Sequence, residues 1–241
     1  MKKKSYEIYP VDCAVKAYFL GFIACDASLY EPSNKMQLEI TDESVIKLFS
    51  ETMDSKYVKY DKYDKRTNKT YHGYRMYKCI DDIIDIYKGR IKTERHLPYQ
   101  YIPIEYLPFL IQGVFDADGT MRGIIYSENR IDVNIQIASS KNIVYDTFDI
   151  LRLYAGIEGK IHDEGSYYGY YIYNKYDFVR FFQYIYARPW FIPMPRKYFK
   201  AIDIVQTMLN MNKAHLLPDI NNVFMGKNTP PFTYKPFSID I

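Results

Sequence analysis

The sequence predicts an α+β chain built from two similar halves, each running α-β-β-α-β-β-α over roughly 100 residues. Three observations predict it. An apolar, helix-length run that contains a glycine and ends in an aspartate occurs twice, 92 positions apart. Each copy is followed by a segment in which polar and apolar residues alternate, the mark of a half-buried strand. Each of those segments then enters a stretch with apolar residues at helical spacing. The expected architecture is a pair of four-stranded antiparallel sheets, each with helices on one face.

The first run reads Ala17-Tyr-Phe-Leu-Gly-Phe-Ile-Ala-Cys-Asp26-Ala-Ser28, and the second reads Pro108-Phe-Leu-Ile-Gln-Gly-Val-Phe-Asp-Ala-Asp118-Gly-Thr120. Gly21 and Cys25 lie four apart, as do Gly113 and Ala117, so each pair stacks on one helix face. Small residues at that spacing let two helices approach closely. The alternating segments are Lys35-Met-Gln-Leu-Glu-Ile-Thr41 and Arg130-Ile-Asp-Val-Asn-Ile-Gln-Ile137. The helices that follow cover 42–53, burying Val45, Leu48 and Phe49, and 140–154, burying Val144, Phe148 and Leu151. Thr41 or Asp42, and Ser139 or Ser140, are of the types that cap helix N-termini. Tyrosine-rich hairpins come next, at 57–78 and 159–173, with Asn68 and Gly165 in their turns. Helices at 80–88 and 175–186 close the halves, and one more is expected at 196–211. Pro98, Pro103 and Pro108 interrupt the join. The organisation expected is a first half at 1–98, a second at 99–212, and a Pro- and Asn-rich extended arm at 213–241.

At 48% hydrophobic residues the chain can build a core, which excludes a disordered protein. A net charge of +3 says little about partners, but its distribution says more. Residues 56–78 hold eight Lys or Arg against two Asp, interleaved with six Tyr. Such a strip suits phosphate contacts along a groove, and it equally suits a solvated hairpin. Three cysteines without a Cys-x-x-Cys pair form neither a disulfide framework nor a zinc site, and the four histidines lack ligand spacing. The N-terminus lacks a secretory core, and the longest apolar run, 17–25, is too short to span a membrane. A cytoplasmic, non-secreted protein is expected.

A carboxylate at the C-terminal end of a helix is repelled by the helix dipole, which favours a cation there. The last carbonyls lack partners within the helix. Asp26 and Asp118, with free carbonyls beside them, make hard oxygen ligands for a divalent cation. If the two helices pack together, both acids meet at one end of the seam. An Asp-Gly turn is the plainer reading of either copy alone. An EF-hand fails because Gly119 is misplaced and Ser127 stands where the closing Glu belongs. A glycosidase-type carboxylate pair, or another hydrolase, leaves the basic hairpin and the polar strand faces without a role.

The pattern resembles the LAGLIDADG homing endonucleases in their single-chain, two-motif form. Ile111-Gln-Gly-Val-Phe-Asp-Ala-Asp-Gly119 is a close match. Phe19-Leu-Gly-Phe-Ile-Ala-Cys-Asp-Ala27 keeps Gly21 and Asp26, with Ala24 in place of the first acid and Ala27 in place of the final glycine. The resemblance implies a monomeric saddle that grips double-stranded DNA and cuts both strands of a long asymmetric site. It implies Asp26 and Asp118 as catalytic acids that bind metal with the carbonyls of Cys25 and Ala117. It places Lys92 and Lys197 near the scissile phosphates, and Asp42 and Ser140 at the polar position after the second strand. An all-oxygen site suits Mg²⁺ or Mn²⁺ rather than zinc.

The sheet faces expected to meet DNA carry Lys35, Gln37, Glu39 and Arg75 in the first half, and Arg122, Asp132, Asn134 and Gln136 in the second. Gln and Asn pair with adenine, and Lys and Arg with guanine. Lys59, Lys62, Lys65 and Arg66 are expected on phosphates. The altered first motif leaves two alternatives open. One is an enzyme that cuts one strand faster than the other. The other is a DNA-binding protein or RNA-splicing maturase with weak or no nuclease activity. The termini carry no protein-splicing signature, so a free-standing or intron-encoded protein is expected.

Overall fold

Met36, Leu38 and Ile40 alternate with Lys35, Gln37 and Glu39, and a pleated strand sends such a set to two faces. A computed structural model of the chain describes residues 5–65, 68–128, 130–186 and 191–211. In the first half the order is α1 (Ala14–Asp26), β1 (Ser28–Tyr30), β2 (Lys35–Ile40), α2 (Glu43–Thr52), β3 (Tyr57–Asp64), β4 (Lys69–Cys79) and α3 (Asp81–Ile86). The second half repeats it as α4 (Leu107–Asp118), β5 (Gly119–Ser127), β6 (Arg130–Ser139), α5 (Lys141–Ile150), β7 (Lys160–Asp163), β8 (Tyr168–Ile172) and α6 (Lys175–Ile185), followed by α7 (Pro195–Asn210). Both sheets are antiparallel and share one strand order, β1-β2-β4-β3 and β5-β6-β8-β7. The expected extended arm and Arg66 lie outside the described residues.

The alternation decides which face is covered. Met36 and Leu38, and likewise Ile135 and Ile137, are fully buried. Beneath them α2 contributes Val45, Ile46 and Phe49, and α5 contributes Ile143, Val144 and Ile150. Asp42 and Ser140 stand at the N-caps of α2 and α5, yet neither side chain bonds its own helix. The 3.6-residue run expected to 154 leaves α-geometry after Ile150. It continues as a π-helical turn, Leu151–Ala155, and stops at Gly156, whose φ of 61° suits glycine.

The centre of the molecule is the contact between α1 and α4. Every residue of α1 from Ala17 to Cys25 is buried, as is every residue of α4 from Phe109 to Asp116. A helix apolar all round must be enclosed. The two glycines set how closely the helices lie. A Cβ on Gly21 would fall 2.1 Å from the Leu110 carbonyl oxygen, and one on Gly113 would fall 2.2 Å from the Tyr18 carbonyl oxygen. Backbone meets backbone there, reciprocally, and no rotamer change relieves the clash.

Gly21→Ala and Gly113→Ala should therefore each push the helices apart. We expect a loss of about 1–3 kcal/mol of stability per substitution, the usual cost of overpacking. Denaturant unfolding measures it. Wild-type stability in either variant would mean that the seam is looser than described.

Candidate active site

Both acids leave the seam at the same end. Asp26 closes α1 and Asp118 closes α4. Burial pushes the Asp26 carboxyl up to about 6, and the charge of Asp118 adds to this, while Lys92 and Lys197 oppose it. Burial likewise pushes Asp118 up, against the Ser139 hydroxyl, Lys92 and the Cys25 thiol. Two half-sunken carboxylates that disfavour their own charge form a place where a divalent cation is welcome. Among the described residues no cluster of three or more His, Cys, Asp or Glu side chains gathers to hold an ion. The protein ligands available are thus two carboxylates plus backbone carbonyls, a donor set that fits Mg²⁺ or Mn²⁺ with the remaining positions open to water.

The carbonyls beside the acids are divided between two buried cations. The Arg95 guanidinium donates through Nη1 to Ile23 O at 3.3 Å and to Ala27 O at 2.8 Å. The Lys197 ammonium donates to Phe115 O at 2.5 Å, Asp116 O at 2.9 Å and Gly119 O at 2.7 Å. Counting 92 positions along, Ile23 matches Phe115 and Ala27 matches Gly119, so the two cations occupy equivalent places. Each satisfies orphan carbonyls at a helix end and offsets the dipole. Neither takes the carbonyl of Cys25 or Ala117, the ones expected to face a metal.

This geometry corrects one expectation. An ammonium has three donors, and Lys197 uses three on the end of α4. None is left for a phosphate, so Lys197 positions a helix end in this structure. Its counterpart is Arg95, not Lys92. Lys92 is different: its side chain is half exposed, and Nζ stands 3.8 Å from Asp26 Oδ1.

The two changes in the first motif also find their reasons. Asp116 is buried and accepts a hydrogen bond from the Tyr18 hydroxyl at 3.1 Å, across the seam. The positions equivalent to Asp116 and Tyr18 are Ala24 and Leu110, both buried and apolar. A polar pair on one side is replaced by an apolar pair on the other. The final glycine is not needed for its backbone, because Gly119 and Ala27 are both extended, with φ of −90° and −79°. A Cβ on Gly119 would instead strike the Phe115 ring, 2.2 Å away, whereas Ile23 occupies that place below Ala27.

Each acid is framed by both halves. The segment 91–97 of the first half meets the start of α5, where Asn142 donates to Glu94 O at 3.1 Å and Asp146 accepts from Leu97 N at 2.7 Å. On the other side, Ser44 at the start of α2 donates to Pro193 O at 2.9 Å. A pocket opens on the first of these sides, lined by Cys25, Lys92, Thr93, Asp118, Ser139 and Ser140. The Ser140 hydroxyl is buried there without a hydrogen-bond partner among the described residues. On the second side Asp42 is held by Arg196 through two bonds, of 2.6 Å and 2.8 Å. Arg95, Arg196 and Tyr18 were not among the residues the sequence singled out, and Ser139 was read only as a possible helix cap. Nothing local distinguishes them, since their partners lie 20 or more positions away in the chain.

The uncovered sheet faces are hydrogen-bonded networks. In the first, Tyr30 donates to Gln37 at 3.0 Å, Gln37 donates to Glu39, and Glu39 pairs with Arg75, whose guanidinium lies 4.6 Å over the Tyr60 ring. Lys35 is exposed on the same face. In the second, Gln136 donates to Tyr171 Oη at 3.0 Å, Asn134 stands opposite Arg122, and Asp132 pairs with Arg130 at 3.4 Å. The basic strip does not form a single surface. Val58 is opposite Arg75 and Tyr60 opposite Gly73, so the pleat turns the exposed Lys59 to the face away from Gln37. Lys65 is exposed in the turn after β3, and Lys62 is described only by its register opposite Tyr71.

The arrangement of two four-stranded antiparallel sheets around two packed helices has counterparts among solved structures. The homing endonuclease I-WcaI bound to its DNA recognition sequence superposes with a TM-score of 0.57 at 16% identity, covering 78% of this chain and 85% of that one. The chain has the LAGLIDADG fold. The N-terminal LAGLIDADG domain of DUF199/WhiA is similar at a TM-score of 0.54 and 14% identity, over 73% of this chain and 84% of that one. I-SmaMI bound to an uncleaved DNA target in the presence of calcium ions is similar at 0.51 and 16% identity, over 88% and 97%. No family model matches the sequence, and no curated protein matches it. Among the described residues, no helix is long and apolar enough to cross a membrane.

The raised Asp26 gives a pH test. A carboxyl whose folded pKa lies above its unfolded value adds stability below the unfolded value, and loses it as pH rises through the folded one. Asp26→Asn should therefore stabilise the metal-free protein by about 1 kcal/mol at pH 8, allowing for solvent screening. The gain should fade as pH falls through about 6. Thermal melts in EDTA at pH 5 and pH 8 measure it. An equal gain at both values would show that Asp26 is not strained by its surroundings.

Proposed function

We propose that the chain is a site-specific, divalent-metal-dependent DNA endonuclease that cuts both strands of a long asymmetric duplex site. The observation that carries this reading is the convergence of Asp26 and Asp118 at one end of the seam. The carbonyls of Cys25 and Ala117, which neither Arg95 nor Lys197 takes, lie next to them in the chain, and the sheets expose polar faces on either side. Bound by the two acids and those carbonyls, a divalent cation supplies charge for the leaving oxygen and a more acidic water. The residues do the rest. Lys92 offers a cation to a phosphate near Asp26, while Ser139 and Ser140 orient polar atoms around Asp118. Arg95 and Lys197 hold the helix ends, and so the acids, in place.

A second reading keeps the fold and the DNA but not the cutting: a DNA-binding protein or an RNA-splicing maturase. The capture of Lys197 by three carbonyls favours it, because one phosphate-facing lysine is then missing. A cleavage assay decides between them. DNA recovered from a randomised plasmid library should be cut in Mg²⁺ or Mn²⁺ and left whole in EDTA. Asp118→Asn should abolish double-strand cutting while keeping specific binding. Binding without cutting in the wild type would select the second reading.

The sheet faces make a further expectation specific. Each face reads only its own half of the site, so Gln136→Ala should relax preference at one or two base pairs on one side of the cut. Gln37→Ala should relax the other side. A good bidentate contact discriminates by about 1–3 kcal/mol. Binding profiles over all single-base variants test this, and a profile flattened evenly across both halves would assign these residues no role in reading bases.

A further inference from the structure

The polar face of the first sheet carries a cation that is already held in shape. Arg75 on β4 stands directly opposite Glu39 on β2, and its Nε lies 2.5 Å from Glu39 Oε1. Its guanidinium lies 4.6 Å over the ring of Tyr60, which reaches across from β3. The Tyr60 hydroxyl donates to Glu39 Oε2 at 3.1 Å, and Gln37 donates to Glu39 as well. Arg75, Glu39 and Tyr60 thus close a triangle drawn from adjacent strands. Gly73 makes room for it. A Cβ there would fall 2.8 Å from Tyr60 Cζ, so any side chain at 73 would lift the ring. With one edge tied to a carboxylate and one flat face on a ring, the guanidinium has lost most of the freedom a long cation keeps. The edge left over carries the two terminal nitrogens, the pair that spans O6 and N7 of guanine. Glu39, engaged by three partners, has little left for the cytosine amino group that a carboxylate reads. The second sheet is built differently: Arg122 stands opposite Asn134, and Asp132 pairs with Arg130 on its own strand.

We propose that Arg75 reads one guanine in the first half's part of the site, and that Glu39, Tyr60 and Gly73 are positioning residues that fix its fork and touch no base. The proposal rests on the reading of DNA by the sheet faces above, and it takes Glu39 out of the set expected on bases. A loose arginine gives up its freedom when it binds. Here that ordering is done on folding, so the contact is preorganised. The positioning residues therefore act on the preference for guanine, although none of them meets it.

The test uses the full chain in EDTA, where binding is read without cutting, on duplexes selected from a randomised library. The selected site should hold a guanine at which any other base weakens binding about tenfold. Arg75→Ala should lose that preference and keep the preferences at all other positions. Replacing the same guanine with 7-deazaguanine, which removes only the N7 acceptor, should weaken wild-type binding several-fold and leave Arg75→Ala binding unchanged. Glu39→Gln and Gly73→Ala should each lower the preference for this guanine and for no other base. A Glu39 that read a cytosine itself would instead lose preference at a separate position. Should either of these two variants fold poorly, the 7-deazaguanine comparison decides alone, because it needs only the wild type and a change on the open face of the sheet. A guanine preference that survives Arg75→Ala, a wild type indifferent to 7-deazaguanine, or relaxation at a second position in Glu39→Gln would overturn the proposal. Guanine reading through Arg75 in a chain that leaves the same duplex whole in Mg²⁺ would remove the nuclease reading and keep this one. Site-specific cutting with preferences that Arg75→Ala does not alter would do the reverse, and no sequence-specific binding at all would remove both.

Discussion

Everything in this molecule hangs on the contact of Gly21 with Leu110 and of Gly113 with Tyr18, where two helices meet backbone to backbone. The glycines permit an approach that no side chain would allow. That approach brings the C-terminal ends of α1 and α4 side by side, and so sets two aspartates together. It also fixes the two sheets relative to each other, because each follows its helix closely: only Ala27 separates β1 from α1, and β5 directly follows α4. The site and the saddle are consequences of one close contact.

Placing two acids at two negative helix ends is costly, and the structure answers it locally. Arg95 and Lys197 come from the late segment of each half and sink onto the carbonyls around the acids. They offset the dipole and satisfy orphan acceptors at one stroke. They leave the carbonyls of Cys25 and Ala117 alone, so a hard, oxygen-lined point remains. Burial, with the charge of Asp118 added to it, is what raises Asp26 to about 6, and a divalent cation bound there would offset both.

The halves repeat their topology and differ in their chemistry. Tyr18 with Asp116 is a buried polar pair, and its counterpart, Leu110 with Ala24, is apolar. The glycine after Asp118 avoids a phenylalanine, and the alanine after Asp26 has no phenylalanine to avoid. Such exchanges are compensated within the seam, so both helices end alike despite unequal sequences. The exchange of Ser140 for Asp42 is compensated from outside it, by Arg196, and there the two sides of the site part company.

The fold class was legible in the sequence because its signals are local. Alternation in 35–41 and 130–137, helical spacing after each, and turn residues at Asn68 and Gly165 all act over a few positions. So did the spacing of each glycine from its acid, which marked the seam and both carboxylates. The roles of the cations were not legible. Lys92 and Lys197 look alike in the sequence, but one is half exposed and the other is held by three carbonyls at the join of α4 and β5, 78 or more positions earlier. Arg95 and Arg196 carried no mark at all, and the strip at 56–78 was divided by a pleat that composition does not reveal. A carboxylate at a helix end declares itself through its neighbours in the chain. What a long, flexible cation does depends on which distant backbone or acid folding brings within its reach, and only the tertiary structure decides that.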